Sequence, residues 1–177
     1  MASTGDAVDF GNLSVSGSAN HFGGSGSSPT RGIIAGGNAP SVTNIIQYVT
    51  IATTGNSADF GDLRIARRGA GVGSCSNAVR AIFGGGYAPT AANSIEYIKM
   101  ATLGNSLDFG DLTGSPTMPA STASSTRAVF AGGSRSPTYS NVIDYLQIMT
   151  TANAVDFGDL TDAREQPVGV SNGHGGL

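Results

Sequence analysis

The 177-residue chain has little charge, one cysteine and no long apolar run. Charged residues make up 12% of it and the net charge is -3, so a basic surface for nucleic acid is not expected. The single cysteine, Cys75, excludes an internal disulfide framework and a metal centre built from several thiolates. No stretch approaches the ~20 apolar residues of a membrane-spanning helix, and the amino terminus lacks the basic and apolar blocks of a secretory signal. The sequence therefore predicts a protein made in a cytoplasm, without membrane insertion.

Glycine, in contrast, is abundant at 27 residues, and its spacing follows a repeat. The string Asp-Phe-Gly-Asp-Leu, or a close variant, occurs four times, in steps of 50, 49 and 48 residues, with its phenylalanine at Phe10, Phe60, Phe109 and Phe157. A period of this length, made of short apolar runs, is the signature of a repeat architecture. The shape of the protein is therefore easier to predict than its chemistry.

Three full copies of the repeat form a single predicted domain, over residues 18–65, 66–113 and 114–160. Residues 1–17 carry a lone closing strand, and residues 161–177 carry a lone opening strand and a C-terminal tail. Each copy predicts four strands, namely a small-residue strand, an apolar strand ending in Gly-Gly, an alternating strand with a tyrosine, and the Asp-Phe-Gly strand. Helix caps and a 3.6-residue period are absent over any useful length. The predicted class is all-β.

Four-stranded units of this length in series are typical of propeller blades. The strings RRGAGV (67–72), AIFGGG (81–86) and SIEY (94–97) resemble the kelch repeat, although the closing aromatic is phenylalanine here and typically tryptophan in that family. The resemblance implies a kelch-like β-propeller. Three blades are fewer than the four to eight that usually close a propeller, so closure needs either a degenerate fourth blade built from the two termini or another chain. We expect further copies of the chain to complete the array. A threefold β-trefoil or β-prism is the alternative fold.

A second resemblance rests on the strings TRAVFAGG (126–133), IDY (143–145), DFGDL (156–160) and SNGHGGL (171–177). Together they are similar to repeat proteins of tailed bacteriophages, particularly marine ones. This resemblance implies a structural virion protein, in the tail or as a capsid decoration, that contacts other virion proteins, copies of itself and the host surface. A lectin-like module that binds a host-surface glycan through repeated sites is the alternative function, and a kelch-like oxidase is the enzymatic rival.

Several side chains recur at one place in every copy, and we interpret them as structural positions. The phenylalanines are expected to be buried between units. The tyrosines are expected to pack within sheets, with sugar stacking as the alternative. The arginines are expected to pair with the acids, with anion binding as the alternative. The aspartates, including Asp9, are expected to bind local backbone amides, with a calcium-binding ring as the alternative. The recurring positions other than the phenylalanines are Tyr48, Tyr97, Tyr145, Arg31, Arg80, Arg127, Asp59, Asp108 and Asp156.

No catalytic, cofactor or metal site is predicted, and the chain is not expected to be an enzyme. The Asp-Phe-Gly strings lack every other protein-kinase motif. The two histidines, His21 and His174, have no carboxylate neighbours in sequence and cannot be assembled with a nucleophile into a known arrangement. Cys75 is expected to be a buried thiol.

The turns at residues 37–42, 87–92 and 134–140 vary most among the copies. Loops carried on a rigid repeating frame are the usual place for recognition. The sequence therefore predicts a binding surface there, with the residues Asn38, Pro40, Tyr87, Pro89, Arg135 and Tyr139.

Overall fold

A computed structural model describes residues 5–14, 23–38, 41–69, 74–135 and 137–171. Over this part of the chain the short alternating runs fold as strands, and no helix forms, so the all-β prediction is confirmed. Nor does the described part contain a helix that could cross a membrane. The strands are β1 (Gly24–Ser27), β2 (Arg31–Ala35), β3 (Ile45–Thr50), β4 (Ala58–Asp62), β5 (Ser74–Ser76), β6 (Arg80–Gly84), β7 (Tyr87–Ala88), β8 (Thr90–Ala91), β9 (Ser94–Lys99), β10 (Leu107–Asp111), β11 (Ala120–Ala123), β12 (Arg127–Ala131), β13 (Ser134–Arg135), β14 (Thr138–Tyr139), β15 (Val142–Gln147) and β16 (Val155–Asp159).

Three antiparallel four-stranded sheets carry the fold, and each lies within one sequence repeat. Their strand orders are β1-β2-β3-β4, β5-β6-β9-β10 and β11-β12-β15-β16. Two small hairpins, β7-β8 and β13-β14, leave the second and third sheets where the apolar strand ends. In each sheet the ladder between the last two strands shifts by one residue near the repeated Asp-Phe-Gly string, as between Asp108 and Gly110. None of the described sheets closes on itself.

The buried core lies between consecutive sheets. One cluster joins the first sheet to the second, with Ile33, Ile46 and Phe60 against Phe83 and Ile98. The other joins the second sheet to the third in the same way. Its members include Ile82, Ile95, Phe109, Phe130 and Leu146. The second sheet thus buries one face against the first sheet and the other face against the third, while the first and third sheets each bury one face, as in stacked repeats.

Serine hydroxyls join the small-residue strands of neighbouring sheets. The hydroxyl of Ser74 donates to the carbonyl of Ser25 at 2.7 Å and accepts the Ser25 amide at 2.7 Å. Ser76 makes the same pair of bonds with Ser27, at 2.9 Å each. The backbone groups of β1 that face the second sheet are therefore satisfied by side chains, which explains why small hydroxyl residues recur in these strands.

The closing strands make a second joint at the opposite edge of the sheets. The carbonyl of Phe60 accepts the Gly104 amide of the following repeat at 2.8 Å, and the Asp62 amide donates to Oδ1 of Asn105 at 3.0 Å. Asn56 and Asn153 accept equivalent bonds from the amides of Asn12 and Asp111. The turn asparagines therefore link each repeat to the closing strand of the repeat before it.

The glycine of the Asp-Phe-Gly string allows this close approach. Gly110 has a φ of 144°, and a Cβ there would lie 2.5 Å from the carbonyl oxygen of Ala152. Gly158 has a similar φ of 137°, but a Cβ there would meet nothing within 4 Å. Alanine variants at these two positions therefore separate two effects on stability, that of the backbone conformation and that of contact with the neighbouring repeat.

We expect Gly110→Ala to lower the free energy of unfolding by about 3 kcal/mol or more, since it adds a backbone clash to a strained dihedral angle. Gly158→Ala carries only the dihedral cost, which is about 1–2 kcal/mol. Urea denaturation of both variants measures the difference. Equal losses would contradict the close packing at Gly110.

Candidate functional site

The recurring arginine, tyrosine and phenylalanine meet in every repeat. In the first sheet the guanidinium carbon of Arg31 lies 4.9 Å from the centre of the Tyr48 ring, and that ring meets Phe60 edge to face at 6.0 Å. The other two sheets repeat this stack. Its remaining members are Arg80, Tyr97 and Phe109 in the second sheet and Arg127, Tyr145 and Phe157 in the third. These side chains form an internal packing motif.

The arginines do not make the pairs with acids that the sequence suggested. Nη1 of Arg31 donates to the carbonyl of Met100 at 2.7 Å, and Nη1 of Arg80 donates to the carbonyl of Ile148 at 2.9 Å. Both acceptors belong to the following repeat. A ring face and a turn carbonyl lie within reach of each half-buried guanidinium, whereas the aspartates lie on the exposed closing strands. These two arginines therefore bind one repeat to the next.

The phenylalanines differ in exposure according to their position in the array of repeats. Phe60 and Phe109 are 2% and 3% exposed, whereas Phe10 and Phe157 are 39% and 59% exposed. Burial between units, as predicted, therefore occurs for the two inner members of the set. The outer members lie at the ends of the array.

The recurring aspartates have separate partners. Asp9 and Asp156 accept the amides of Gly11 and Gly158, two residues further on, at 3.0 and 2.9 Å. Asp108 pairs with Arg64, and both side chains are largely exposed. Asp59 lies across the ladder from Gln47. Within the described ranges no three carboxylate, histidine or cysteine side chains are grouped so that they could hold a metal ion.

A buried polar side chain replaces an apolar one in the third strand of every sheet. Gln47, Glu96 and Asp144 are each at most 3% exposed. They accept hydrogen bonds from the segment just after the preceding closing strand, as when Gln47 accepts the Ser14 amide at 2.9 Å and Asp144 accepts the Thr113 hydroxyl at 2.7 Å. Sequence reasoning missed this set. Its signal was a polar residue at the same place in each alternating strand.

In the second sheet the residue at this position, Glu96, belongs to a buried ion pair. Glu96 contacts Arg67, and both side chains are fully buried. Arg67 also donates to the carbonyls of Gly85 and Ser94, at 2.8 and 3.0 Å, and Glu96 accepts from the Arg64 amide at 2.8 Å and from Ser106. Burial lowers the pKa of Arg67, and the charge of Glu96 opposes that effect. The pair therefore ties together the segments of Arg64, Gly85, Ser94 and Ser106, which contributes to the fold.

The predicted recognition residues lie along one edge of the array, which we call the loop edge (residues 38, 41–42, 87–91, 134–135 and 137–139). Asn38 pairs with Val42 in an isolated bridge, and Tyr87 and Tyr139 lie on the hairpins β7-β8 and β13-β14. Pro89, at the tip of β7-β8, is exposed, and Arg135 is half-buried. Pro40 lies outside the described residues.

One pocket opens at the loop edge. It has a volume of about 240 Å³ and is lined by Arg68, Gly69, Tyr87, Thr117 and Met118. The guanidinium carbon of Arg68 lies 4.8 Å from the centre of the Tyr87 ring. A cation beside an aromatic ring suits a polar ligand such as a sugar or an anion. The equivalents of Tyr87 are Asn38 and Ser134, so the other two repeats do not copy this pair.

Cys75 is a buried thiol, and it packs among residues of the core between the second and third sheets. Burial raises its pKa to about 12. The thiolate is the reactive form, so a nucleophilic role at neutral pH is disfavoured. His21 and His174 lie outside the described residues.

We expect Cys75 to resist a disulfide reagent at pH 8 in the native protein and to react at once in urea. Because folding raises its pKa, the thiol contributes stability that is present below the unfolded value of roughly 8.5 and is lost as the pH rises toward 12. Urea denaturation between pH 8 and 11 should show that loss, and Cys75→Ala should reduce it. Rapid labelling of the native protein would contradict the burial.

The chain matches no known protein-family model, and no curated protein sequence matches it.

Proposed function

We propose that this chain is a non-enzymatic structural protein of a tailed bacteriophage particle, in the tail or as a capsid decoration. It is made in the host cytoplasm and then joins the virion. Its sheets are the blades of a kelch-like propeller array, and its partners are copies of itself and other virion proteins. The loop edge faces outward, where it contacts the host surface.

One observation carries the proposal: the recurring side chains are used to hold the repeats together. The Arg-Tyr-Phe stacks, the turn asparagines and the serine hydroxyls all contact protein. The hydroxyls of Ser106 and Thr113, which donate to the carboxylates of Glu96 and Asp144, lie at joints between structural elements, and Cys75 is buried. A rigid array with variable loops on one edge is suited to assembly and contact. The phage assignment itself rests on the resemblance of the repeated strings.

The test is mass spectrometry of density-gradient-purified particles of the phage that encodes the chain. The protein should co-sediment with infectivity, and antibodies should label one part of the particle in electron micrographs. Finding it only in the soluble fraction of infected cells would overturn the proposal.

The loop-edge pocket favours glycan binding as a second candidate function, through a single site beside Arg68 and Tyr87. A bound oligosaccharide should raise the melting temperature of the protein, and Tyr87→Ala should abolish that shift. Tyr139→Ala is the matched control, because Tyr139 is also exposed but lies outside the pocket. A glycan that protects both variants equally would argue against this site.

A further inference from the structure

The two ends of the three-sheet array are unpaired halves of the same interface. We call the face that a sheet turns to the next sheet its trailing face, and the face that it turns to the previous sheet its leading face. The trailing faces of the first two sheets are covered. That of the third carries the equivalent residues Val129, Ile143, Phe157 and Leu160, and none of these is fully buried. The leading face of the first sheet carries Ile34, Val49 and Ile51, and Ile51 is 47% exposed.

Hydrogen-bonding groups at the two ends are also complementary. At each inner joint an arginine of one repeat donates to a turn carbonyl of the next, as Arg80 does to Ile148. In the third repeat the equivalent donor is Arg127, which lies over Tyr145 and reaches no carbonyl of a following sheet in the described part of the chain. In the first repeat the equivalent acceptor is the carbonyl of Ile51. One end therefore presents the donor and the other presents the acceptor.

The glycines of the closing strands also show that, in the part of the chain that the structure describes, the third sheet lacks a following repeat. A Cβ on Gly61 or Gly110 would collide with the turn of the following repeat, at Gly104 or Ala152, whereas a Cβ on Gly158 would meet nothing. β16 thus has the shape that admits a neighbouring turn. Within the described residues no such turn fills it.

Terminal segments of the chain occupy parts of the two ends. Residues 9–13 lie against the first sheet as a preceding closing strand would, with the Gly55 amide donating to the carbonyl of Phe10 at 2.8 Å. At the other end Thr122 donates to the carbonyl of Val170 at 3.0 Å, which continues the row of small-residue strands. Both segments are exposed in part, with Phe10 39% and Val170 88% exposed. A neighbouring copy carries strands with the same motifs, and these can exchange for the terminal segments.

We infer that copies of this chain dock head to tail, with the leading face of one on the trailing face of the next. β16 of the first copy takes the place of residues 9–13 of the second, and β1 of the second takes the place of residues 167–171 of the first. Such a contact uses two different surfaces, so it repeats until a ring closes or a filament grows. The inference rests on the proposed structural role and specifies which surfaces of two copies meet.

Sedimentation velocity over a hundredfold range of concentration tests the inference. The wild-type protein should sediment as a monomer of 17.7 kDa at the lowest concentration and as multiples of that mass at higher ones. Phe157→Asp should abolish the association by charging the trailing face, and Ile51→Asp should abolish it by charging the leading face. Leu103→Asp is the control, because Leu103 is 56% exposed on a turn of the middle repeat and should leave association unchanged.

A mixture of the two charged variants gives the sharpest outcome. Each variant keeps the face that the other has lost, so the mixture should form dimers and nothing larger. Melting temperatures within a few degrees of the wild type would show that the variants are folded. A wild-type protein that stays monomeric throughout, or a mixture that does not dimerise, would overturn the inference. A monomeric protein that is still found in purified particles would leave the proposed virion role standing and would remove only the contact between copies.

Discussion

Phe109→Ala is expected to lower the free energy of unfolding by about 3–5 kcal/mol, the usual cost of removing a buried phenylalanine. Phe109 is 3% exposed and packs in the cluster between the second and third sheets. It also meets Tyr97 edge to face, with the ring centres 5.8 Å apart. The variant removes the anchor of an inner joint and leaves a cavity between two sheets. Urea denaturation monitored by circular dichroism measures the loss.

Phe157→Ala is the matched control, because Phe157 occupies the same repeat position and makes the same contact with Tyr145. It is 59% exposed, since no following sheet covers it. The expected loss is below about 1 kcal/mol when measured on the monomer. If both variants lost the same stability, packing of Phe109 against the third sheet would not be the source of the effect. The description of the core as lying between sheets would then be wrong.

Arg67→Met is the second substitution with a large expected effect. It leaves the fully buried carboxylate of Glu96 without its counter-ion, and breaking such a pair from one side costs about 3–5 kcal/mol. The double variant Arg67→Met with Glu96→Gln should recover much of the loss. Gln47 fills the equivalent place in the first sheet and accepts bonds from Ser14 and Ser57 there.

A double-mutant cycle from urea denaturation measures this coupling. The single variants Arg67→Met and Glu96→Gln each leave an uncompensated buried group, so the double variant should be more stable than Arg67→Met alone. Additive losses would show that the two side chains do not stabilise the fold as a pair.

The all-β class and the order of the strands could be predicted from the sequence because the fold is a repeat. Four copies of one string fixed the period, and alternation in the segments around Tyr48 and Tyr97 identified the strands. The partners of the recurring side chains were less accessible, because the arginines bind across repeats to backbone carbonyls that leave no trace in sequence. The pair of Arg67 and Glu96 was missed for a related reason. It occurs in one repeat only, so no recurrence marks it.

At the loop edge the positions of the residues could be predicted from the sequence, but their contacts could not. Turn composition predicted the position of its residues, and the hairpins β7-β8 and β13-β14 lie where those turns were expected. The contact of Arg68 with Tyr87 depends on two segments that meet only when the second sheet has formed. A pocket of this kind depends on tertiary structure, and residue types alone do not reveal it.

The linear stacking of the three sheets also sets the order in which parts of the molecule unfold locally. The second sheet is covered on both sides, while the first and third are each covered on one. In a linear array stability comes from each unit and from its nearest neighbours, so fraying begins at the ends. Amide hydrogens of β6 and β9 should accordingly be the last to exchange with deuterium, and those of β16 among the first.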